Sequence, residues 1–135
     1  MKLNAYLTFN GQCEQAFQFY AKALYAEIAL IQRYADSPMS SQCSPESGHL
    51  IMHASLDIHG QTLMGCDHMP GDNDGKFEGF SLSLNINDVE LAERLFENLS
   101  EQSKNIMMPL QKTFWAQRFG MIKDQFGVTW MINCE

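Results

Sequence analysis

A repeated order of secondary structure is the feature that most constrains this sequence. The pattern strand, helix, strand, strand, strand is predicted once in residues 1–67 and again in residues 80–135, with a polar linker at 68–79. Two short patterns recur in both halves: Leu7-x-Phe9 with Leu84-x-Ile86, and Ala16-x-x-Phe19-Tyr20 with Ala92-x-x-Leu95-Phe96. Such self-similarity is typical of a duplicated structural unit. The sequence therefore predicts one α+β domain, residues 1–135, built from tandem βαβββ units.

The spacing of apolar residues places the individual elements. Alternation predicts strands at residues 3–9, 28–35, 49–59, 62–67, 81–86, 107–112, 118–124 and 128–133. Apolar residues at three- and four-residue intervals predict helices at 12–24 and 89–99, the second with Asp88 as its N-cap. The buried stripe of the first helix is predicted to be Ala16, Phe19, Tyr20, Ala23 and Leu24. Pro109 cannot donate to a sheet, so its strand is predicted to be irregular or at an edge.

The two polar segments, 36–48 and 68–79, are predicted to be loops. The first is long enough to cover a site, although loops of this kind are more often only mobile. Within the second, Gly71-Asp-Asn-Asp-Gly75 lacks the closing Glu of a calcium-binding loop, so an ordinary turn is predicted there.

Composition and charge exclude several classes of protein. The chain is 45% hydrophobic and 19% charged, which is typical of a globular domain. A net charge of -7 with nine scattered basic residues argues against nucleic-acid and membrane-surface partners. The four cysteines, Cys13, Cys43, Cys66 and Cys134, contain no Cys-x-x-Cys pair. Lys2 leads directly into strand residues, so no secretory signal is predicted. Reduced thiols and a cytoplasmic location are therefore expected.

Several motifs carry a resemblance to a known family. They are Tyr6-Leu-x-Phe-x-Gly11, Ala16-Phe-x-Phe-Tyr20, His53-Ala54, Leu63-Met-x-x-Asp67, Thr113-Phe-Trp-x-x-Arg-x-Gly120 and Asp124-x-Phe-Gly-Val-x-Trp130. Together with the repeat, they make the chain resemble the PhnB-like group of the vicinal oxygen chelate superfamily. That superfamily includes glyoxalase I, extradiol dioxygenases, fosfomycin-resistance enzymes and bleomycin-binding proteins. The resemblance implies that each unit curls its sheet into half of a cup, with the helices outside, and that the protein forms a homodimer.

The alternation in the first strand of each unit agrees with a cup. The apolar residues are expected to face the helices: Leu3, Leu7 and Phe9, then Leu82, Leu84 and Ile86. The polar residues are expected to line the cup: Asn4, Tyr6 and Thr8, then Ser81, Ser83 and Asn85. Polar-lined concave walls are typical of ligand pockets rather than of a plain core.

The metal positions of the superfamily are degenerate in this sequence. The resemblance assigns them to Asn4, Asp67, Ser81 and Met131. A thioether and a neutral hydroxyl are poor ligands for hard divalent ions, so no metal or other cofactor is predicted. A displaced site remains as an alternative, because His49 and His53 would share a strand face by period two and Asp67 ends the neighbouring strand. Against it, His53 could simply form a hydrogen bond inside the cup.

The remaining pocket candidates have both functional and structural interpretations. Trp115 and Arg118 could form an aromatic wall beside an anion clamp, or a packed Trp beside an Arg in a surface ion pair. Trp130 is predicted to be core, and Asp124 to cap its own turn. Cys66 is the one thiol expected near the cup, where an inert thiol is the default. The sequence contains no dinucleotide-binding, Walker or nucleophile-elbow motif and nothing like the Gly-rich motif of an S-adenosylmethionine site.

The leading functional hypothesis is a small-molecule-binding protein that holds an anionic or aromatic ligand without the superfamily's metal. The pocket candidates are Tyr6, His53, Asp67, Ser83, Trp115, Arg118 and Met131. One alternative is a metal-dependent lyase, isomerase or dioxygenase that uses the displaced histidine site. The other is a homodimer with a purely structural or regulatory role.

Overall fold

The structure, a computed structural model, describes residues 1–38, 44–69 and 76–135. The chain separates into two compact units, Met1–Gly75 and Lys76–Glu135. Of the two loops predicted at 36–48 and 68–79, residues 39–43 and 70–75 lie outside the described residues, and with them the turn predicted at 71–75. Within the described residues, no helix is both long and apolar enough to traverse a membrane.

In its described residues, the first unit contains one α-helix, a short 3₁₀ helix at Tyr34–Asp36 and four strands. In chain order the α-helix and strands are β1 (Tyr6–Phe9), α1 (Cys13–Ala23), β2 (Glu27–Arg33), β3 (Ile51–Ile58) and β4 (Gln61–Asp67). The sheet order is β1-β4-β3-β2. The pair β1/β4 is parallel, whereas β3 is antiparallel to both of its neighbours. The unit is therefore a mixed sheet with the predicted βαβββ connectivity.

Helix α1 covers one face of this sheet, because alternate strand residues and one helix stripe are both apolar. The buried strand residues include Leu7, Phe9, Ala54, Leu56 and Leu63. In the helix, Phe17 is fully buried whereas Phe19, predicted in the stripe, is only half-buried. Gly65 makes room for Phe17, since a Cβ there would lie 3.0 Å from the Phe17 ring and 2.8 Å from the Leu7 carbonyl oxygen. Phe17 thus takes the place of Phe19 in the predicted buried stripe.

The second unit repeats the arrangement. Its elements are β5 (Leu82–Ile86), α2 (Val89–Leu99), β6 (Asn105–Gln111), β7 (Arg118–Lys123) and β8 (Thr129–Cys134), and its sheet order is β5-β8-β7-β6. The predicted N-cap is confirmed, because the Asp88 carboxylate accepts hydrogen bonds from the backbone N–H groups of Glu90 at 2.9 Å and Leu91 at 3.3 Å. Pro109 lies in the edge strand β6, where the pairing with β7 shifts register, as predicted. The α+β class with tandem βαβββ units is confirmed.

Two strand predictions are corrected. Pairing of β1 begins at Tyr6 rather than at residue 3, and Leu3, expected against the helix, is fully exposed. In β3, Gln32 pairs with His53 but Arg33 pairs with Ile51, so β3 contributes one extra residue, Met52. This bulge breaks the predicted alternation, which is why Ile51 is buried instead of sharing the face of His53.

An ion pair joins the first turn of α1 to the end of β2. The two guanidinium nitrogens of Arg33 donate to the two carboxylate oxygens of Glu14 at 3.1 and 2.7 Å. Arg33 also donates to the carbonyl oxygen of His49 at 3.0 Å. The hydrogen bond from Arg33 holds the pKa of the Glu14 carboxyl below its usual range. The Arg33 guanidinium therefore links the first turn of α1 to the turn before β3.

Glu14→Gln should destabilise the protein slightly, and only above acidic pH. Because the folded pKa is lowered, the stabilisation is complete above the unfolded pKa, near 4.3, and is lost as pH falls through the folded value. Both side chains are about one-third exposed, so we expect a loss of at most about 1 kcal/mol at pH 7. Urea unfolding of both proteins between pH 3 and 7 measures it, with the exposed first-turn substitution Glu90→Gln in α2 as the control. An equal loss for Glu14→Gln at pH 3 and pH 7 would contradict the assignment.

Candidate functional site

Polar side chains gather on the face of the first sheet that lies opposite α1. In the parallel pair β1/β4, Tyr6 is in register with Met64 and Thr8 with Cys66. Neither Tyr6 nor Thr8 is buried, whereas the alternate residues Leu7 and Phe9 are. The open face of this first sheet, defined by Tyr6, Thr8, His53 and Cys66, is the first candidate site.

Tyr6 and His53 form the centre of this face. The Tyr6 hydroxyl lies 3.0 Å from Nδ1 of His53, and the centroids of the two rings are 5.6 Å apart. Both residues were predicted for the pocket separately, and the structure brings them together. Next to them, the Cys66 thiol lies 3.9 Å from the Thr8 hydroxyl oxygen. The cluster thus combines a phenol, an imidazole, a thiol and an alcohol on three adjacent strands.

The electrostatics favour a neutral phenol in this cluster. Burial, followed by the nearby Cys66 thiol, raises the pKa of Tyr6 to about 12. The hydroxyl therefore keeps its proton at neutral pH and can donate a hydrogen bond. Tyr6 is nevertheless 47% exposed, so its ring remains accessible from solvent. The cluster is suited to hydrogen bonding and ring contact with a small molecule.

Asp67 lies elsewhere, although it was predicted both for the pocket and as a metal ligand. Its side chain is 3% exposed, and its two carboxylate oxygens accept hydrogen bonds at 2.9 Å from the backbone N–H groups of Cys13 and Ile51. Asp67 thereby ties the first residue of α1 to the first residue of β3. Burial and the neighbouring Asp67 raise the pKa of the Cys13 thiol, which makes Cys13 an unreactive core residue.

The displaced metal set, His49, His53 and Asp67, is not assembled. His49 lies exposed in the turn before β3, and the extra residue Met52 removes the period-two relation to His53. Among residues 1–38, 44–69 and 76–135, no group of three His, Cys, Asp or Glu side chains could hold a metal ion. Of the positions that the resemblance assigns, Asn4 and Ser81 lie outside the strands and Met131 lies within β8. These donors do not fit a divalent ion.

The second sheet has an open face of its own. Ser83 is in register with Met131, and Met131 with Met121, on the face opposite α2. Trp115, which is 49% exposed, packs against Phe119 with ring centroids 5.3 Å apart. Two of the predicted pocket residues, Ser83 and Met131, are thus neighbours on adjacent strands.

Arg118 is not part of this open face. Its Nε donates to Oε1 of Glu93 on α2 at 3.2 Å, and one terminal nitrogen donates to the carbonyl oxygen of Gln117 at 2.7 Å. The guanidinium is therefore directed to the helix side of the sheet, which favours the structural interpretation of Arg118 over an anion clamp.

Sequence reasoning missed one polar pair and underrated one anchor. Asn133 lies opposite Asn85 in the open face of the second sheet and donates to its Oδ1 at 3.3 Å. Asn133 lies two residues after Met131 on the same strand, and this spacing could have placed it on the same sheet face. Asp124 is fully buried and accepts from the backbone N–H groups of Phe126 and Val128, which confirms the predicted local cap. It also accepts from Nε1 of Trp130 at 2.8 Å, and Trp130 is core as predicted.

Comparison with known proteins identifies the family. Residues 1–133 match the family model described as 3-demethylubiquinone-9 3-methyltransferase. Protein YjdN of Escherichia coli is 38% identical over 141 residues, covering 98% of this chain and 95% of YjdN. The structure of a PhnB protein from Bacillus cereus superposes with a TM-score of 0.83 at 26% identity, with both chains covered completely. The chain belongs to the PhnB-like family.

This PhnB-like chain also shares its fold with the wider superfamily. A glyoxylase/bleomycin resistance protein/dioxygenase domain from Frankia sp. matches with a TM-score of 0.70 at 15% identity, covering 99% of this chain and 96% of that domain. At that identity the likeness concerns the fold alone. The fold that the resemblance to the vicinal oxygen chelate superfamily implies is confirmed.

Proposed function

We propose that this PhnB-like protein binds a small aromatic molecule at the open face of the first sheet, through Tyr6 and His53. The observation that carries the proposal is the 3.0 Å contact between the Tyr6 hydroxyl and Nδ1 of His53, with Tyr6 about half exposed. A phenol and an imidazole held together offer ring surfaces and hydrogen-bonding groups to one ligand. Binding sites for small molecules combine apolar surface with a few placed polar groups in this way.

The charges favour a neutral aromatic ligand over the anionic one that the sequence left open. Arg118, the residue that could have formed an anion clamp, is engaged by Glu93. The net charge of -7 adds a repulsive background for anions. In the tautomer in which Nδ1–H of His53 donates to the Tyr6 oxygen, the Tyr6 hydroxyl, whose pKa is raised to about 12, can donate to a carbonyl or similar acceptor of the ligand.

The proposed binding does not use the metal positions of the superfamily. Met131 offers only a thioether at one of them. At another, the Asp67 carboxylate already accepts two backbone hydrogen bonds. The chemistry of the site then rests on Tyr6, His53 and their neighbours.

A matched pair of tyrosine variants tests the proposal. A library of neutral aromatic fragments would be screened by NMR against isotope-labelled protein, with and without EDTA. Ligands that shift the His53 signals should bind Tyr6→Phe about 2–12-fold more weakly, which corresponds to one lost hydrogen bond. Tyr25→Phe, at a similarly exposed tyrosine, is the control and should not change affinity.

Three results would overturn the proposed function. One is a screen in which no fragment shifts the signals of Tyr6 or His53. Another is an equal loss of affinity in Tyr6→Phe and Tyr25→Phe. The third is the abolition of binding by EDTA, which would support the metal-dependent alternative.

A further inference from the structure

The hydrogen bond between Tyr6 and His53 can form in two ways. Nδ1 of His53 lies 3.0 Å from the Tyr6 hydroxyl, and either group can donate, depending on which imidazole nitrogen carries a proton. When Nδ1 is unprotonated, the Tyr6 hydroxyl donates to it and offers a ligand only its oxygen lone pairs. When Nδ1 carries a proton, it donates to the phenol oxygen, and the Tyr6 O–H is available to a ligand. The two arrangements therefore differ in whether the open face of the first sheet presents a hydrogen-bond donor.

The charge of the His53 ring selects between these arrangements. An unprotonated imidazole nitrogen is a better acceptor than a phenol oxygen, and a phenol O–H is a better donor than a neutral imidazole N–H. In the neutral ring we therefore expect the Tyr6 hydroxyl to donate to Nδ1. In the imidazolium ion both nitrogens are donors, so Nδ1–H donates and the Tyr6 O–H is released. Burial raises the pKa of Tyr6 to about 12, so the phenol keeps its proton across the range, about pH 5–8, in which histidines change charge.

The surroundings of His53 are compatible with a protonated ring. The residue is only half-buried, and the titratable groups on the same face are Tyr6 on β1 and Cys66 on β4. Its partner on β2 is the neutral Gln32, and the next residue, Arg33, is held in a bidentate ion pair with a carboxylate. The ring centroids of Tyr6 and His53 are 5.6 Å apart with a tilt of 32°, which adds a cation–π contact to the protonated form.

We propose that protonation of His53 makes the open face of the first sheet selective for aromatic ligands that carry a hydrogen-bond acceptor, such as aromatic ketones. This inference rests on the function proposed above, and it specifies the class of ligand and the condition that favours binding. A ligand that accepts from Tyr6 binds the protonated form more tightly. By linkage, its affinity rises as the pH falls through the titration of the histidine. A ligand without an acceptor gains no affinity.

Acetophenone and α-methylstyrene are suitable probes, because they have nearly the same shape and only the ketone has an acceptor. Each would be titrated into isotope-labelled wild-type protein at about pH 5 and about pH 8 while the Tyr6 and His53 signals are followed by NMR. Acetophenone is expected to bind about 2–12-fold more tightly at the lower pH, which corresponds to one hydrogen bond. The affinity of α-methylstyrene should be the same at both. Both probes are neutral throughout, so the changing net charge of the protein has little effect on them.

Three variants test the origin of the pH dependence. His53→Phe should remove it because the titrating ring is gone, and Tyr6→Phe should remove it because the released O–H is gone. His49→Gln is the control at an exposed histidine outside the site, and it should retain the pH dependence. A pH dependence that persists in His53→Phe, or an equal affinity of the wild type for acetophenone at both pH values, would overturn the inference.

The ring nitrogens of His53 test the inference without a ligand and without a variant. Nitrogen-15 NMR of the free wild-type protein shows which ring nitrogen carries the proton, and at about pH 8 we expect it on Nε2. A neutral ring protonated on Nδ1 would overturn the inference and leave the proposed function intact, because Tyr6 would then be a donor at every pH. A fragment library in which nothing shifts the Tyr6 and His53 signals at either pH would overturn both.

Discussion

Replacing Asp67 by alanine is expected to lower the free energy of unfolding by about 2–5 kcal/mol. The substitution leaves the backbone N–H groups of Cys13 and Ile51 without their acceptor in a buried setting. Each such unpaired group costs about 1–3 kcal/mol. The loss should be accompanied by faster hydrogen exchange at these two amides, because one carboxylate holds both the start of α1 and the start of β3.

Asp88→Ala is the matched control for this experiment. Its carboxylate also accepts from two backbone N–H groups at the start of a helix, but it is exposed, so water can replace it. Urea unfolding should show a loss of about 1 kcal/mol there. An Asp67→Ala variant no less stable than Asp88→Ala would contradict the buried role. Stabilisation of the wild type alone by added Zn²⁺ or Mn²⁺ would instead support a metal at Asp67.

Replacing Asp124 by asparagine is expected to cost about 2–4 kcal/mol. The fully buried carboxylate accepts at 2.8 Å from Phe126 N–H, 3.0 Å from Val128 N–H and 2.8 Å from Nε1 of Trp130. An amide keeps one acceptor oxygen but presents N–H donors towards another N–H donor. The turn between β7 and β8 then either opens or loses its bond to Trp130.

Tryptophan fluorescence during urea unfolding measures this change. Asp57→Asn is the control, because its exposed carboxylate accepts from the Gly60 N–H in a comparable local turn. We expect the control to lose less than about 1 kcal/mol. Similar losses in the two variants would show that burial and the indole bond of Asp124 contribute little.

Most of the fold could be predicted because, in most of the strands, buried residues alternate with less buried ones. Alternation then marks the strands, and the N-cap at Asp88 and the imino acid at Pro109 mark a helix start and an edge. The errors lie where tertiary pairing decides. The pairing of β1 with β4 begins only at Tyr6, and the bulge at Met52 depends on the register between β2 and β3. Neither feature has a local sequence signal.

The candidate sites were predictable only as far as strand faces were. Tyr6 and His53 were each predicted for the pocket, but their mutual contact required the structure. Asp67 lies at the strand end where the site was expected. Its carboxylate is oriented instead by hydrogen bonds from the buried backbone N–H groups of Cys13 and Ile51. Arg118 is directed by Glu93, which is 25 residues away in sequence. The contact between Asn133 and Asn85 depends on the register of β8 against β5, which neither strand reveals by itself.

The position of Pro109 also bears on self-association. The outer strand of a sheet offers unpaired backbone groups that can template intermolecular aggregation. In β6, the exposed apolar side chains of Ile106 and Met107 would favour association of such an edge with another chain. Pro109 interrupts the row of donors, and the register shifts on both sides of Met108 interrupt the ladder. This edge is therefore a poor seed for fibril-like stacking, even at high protein concentration.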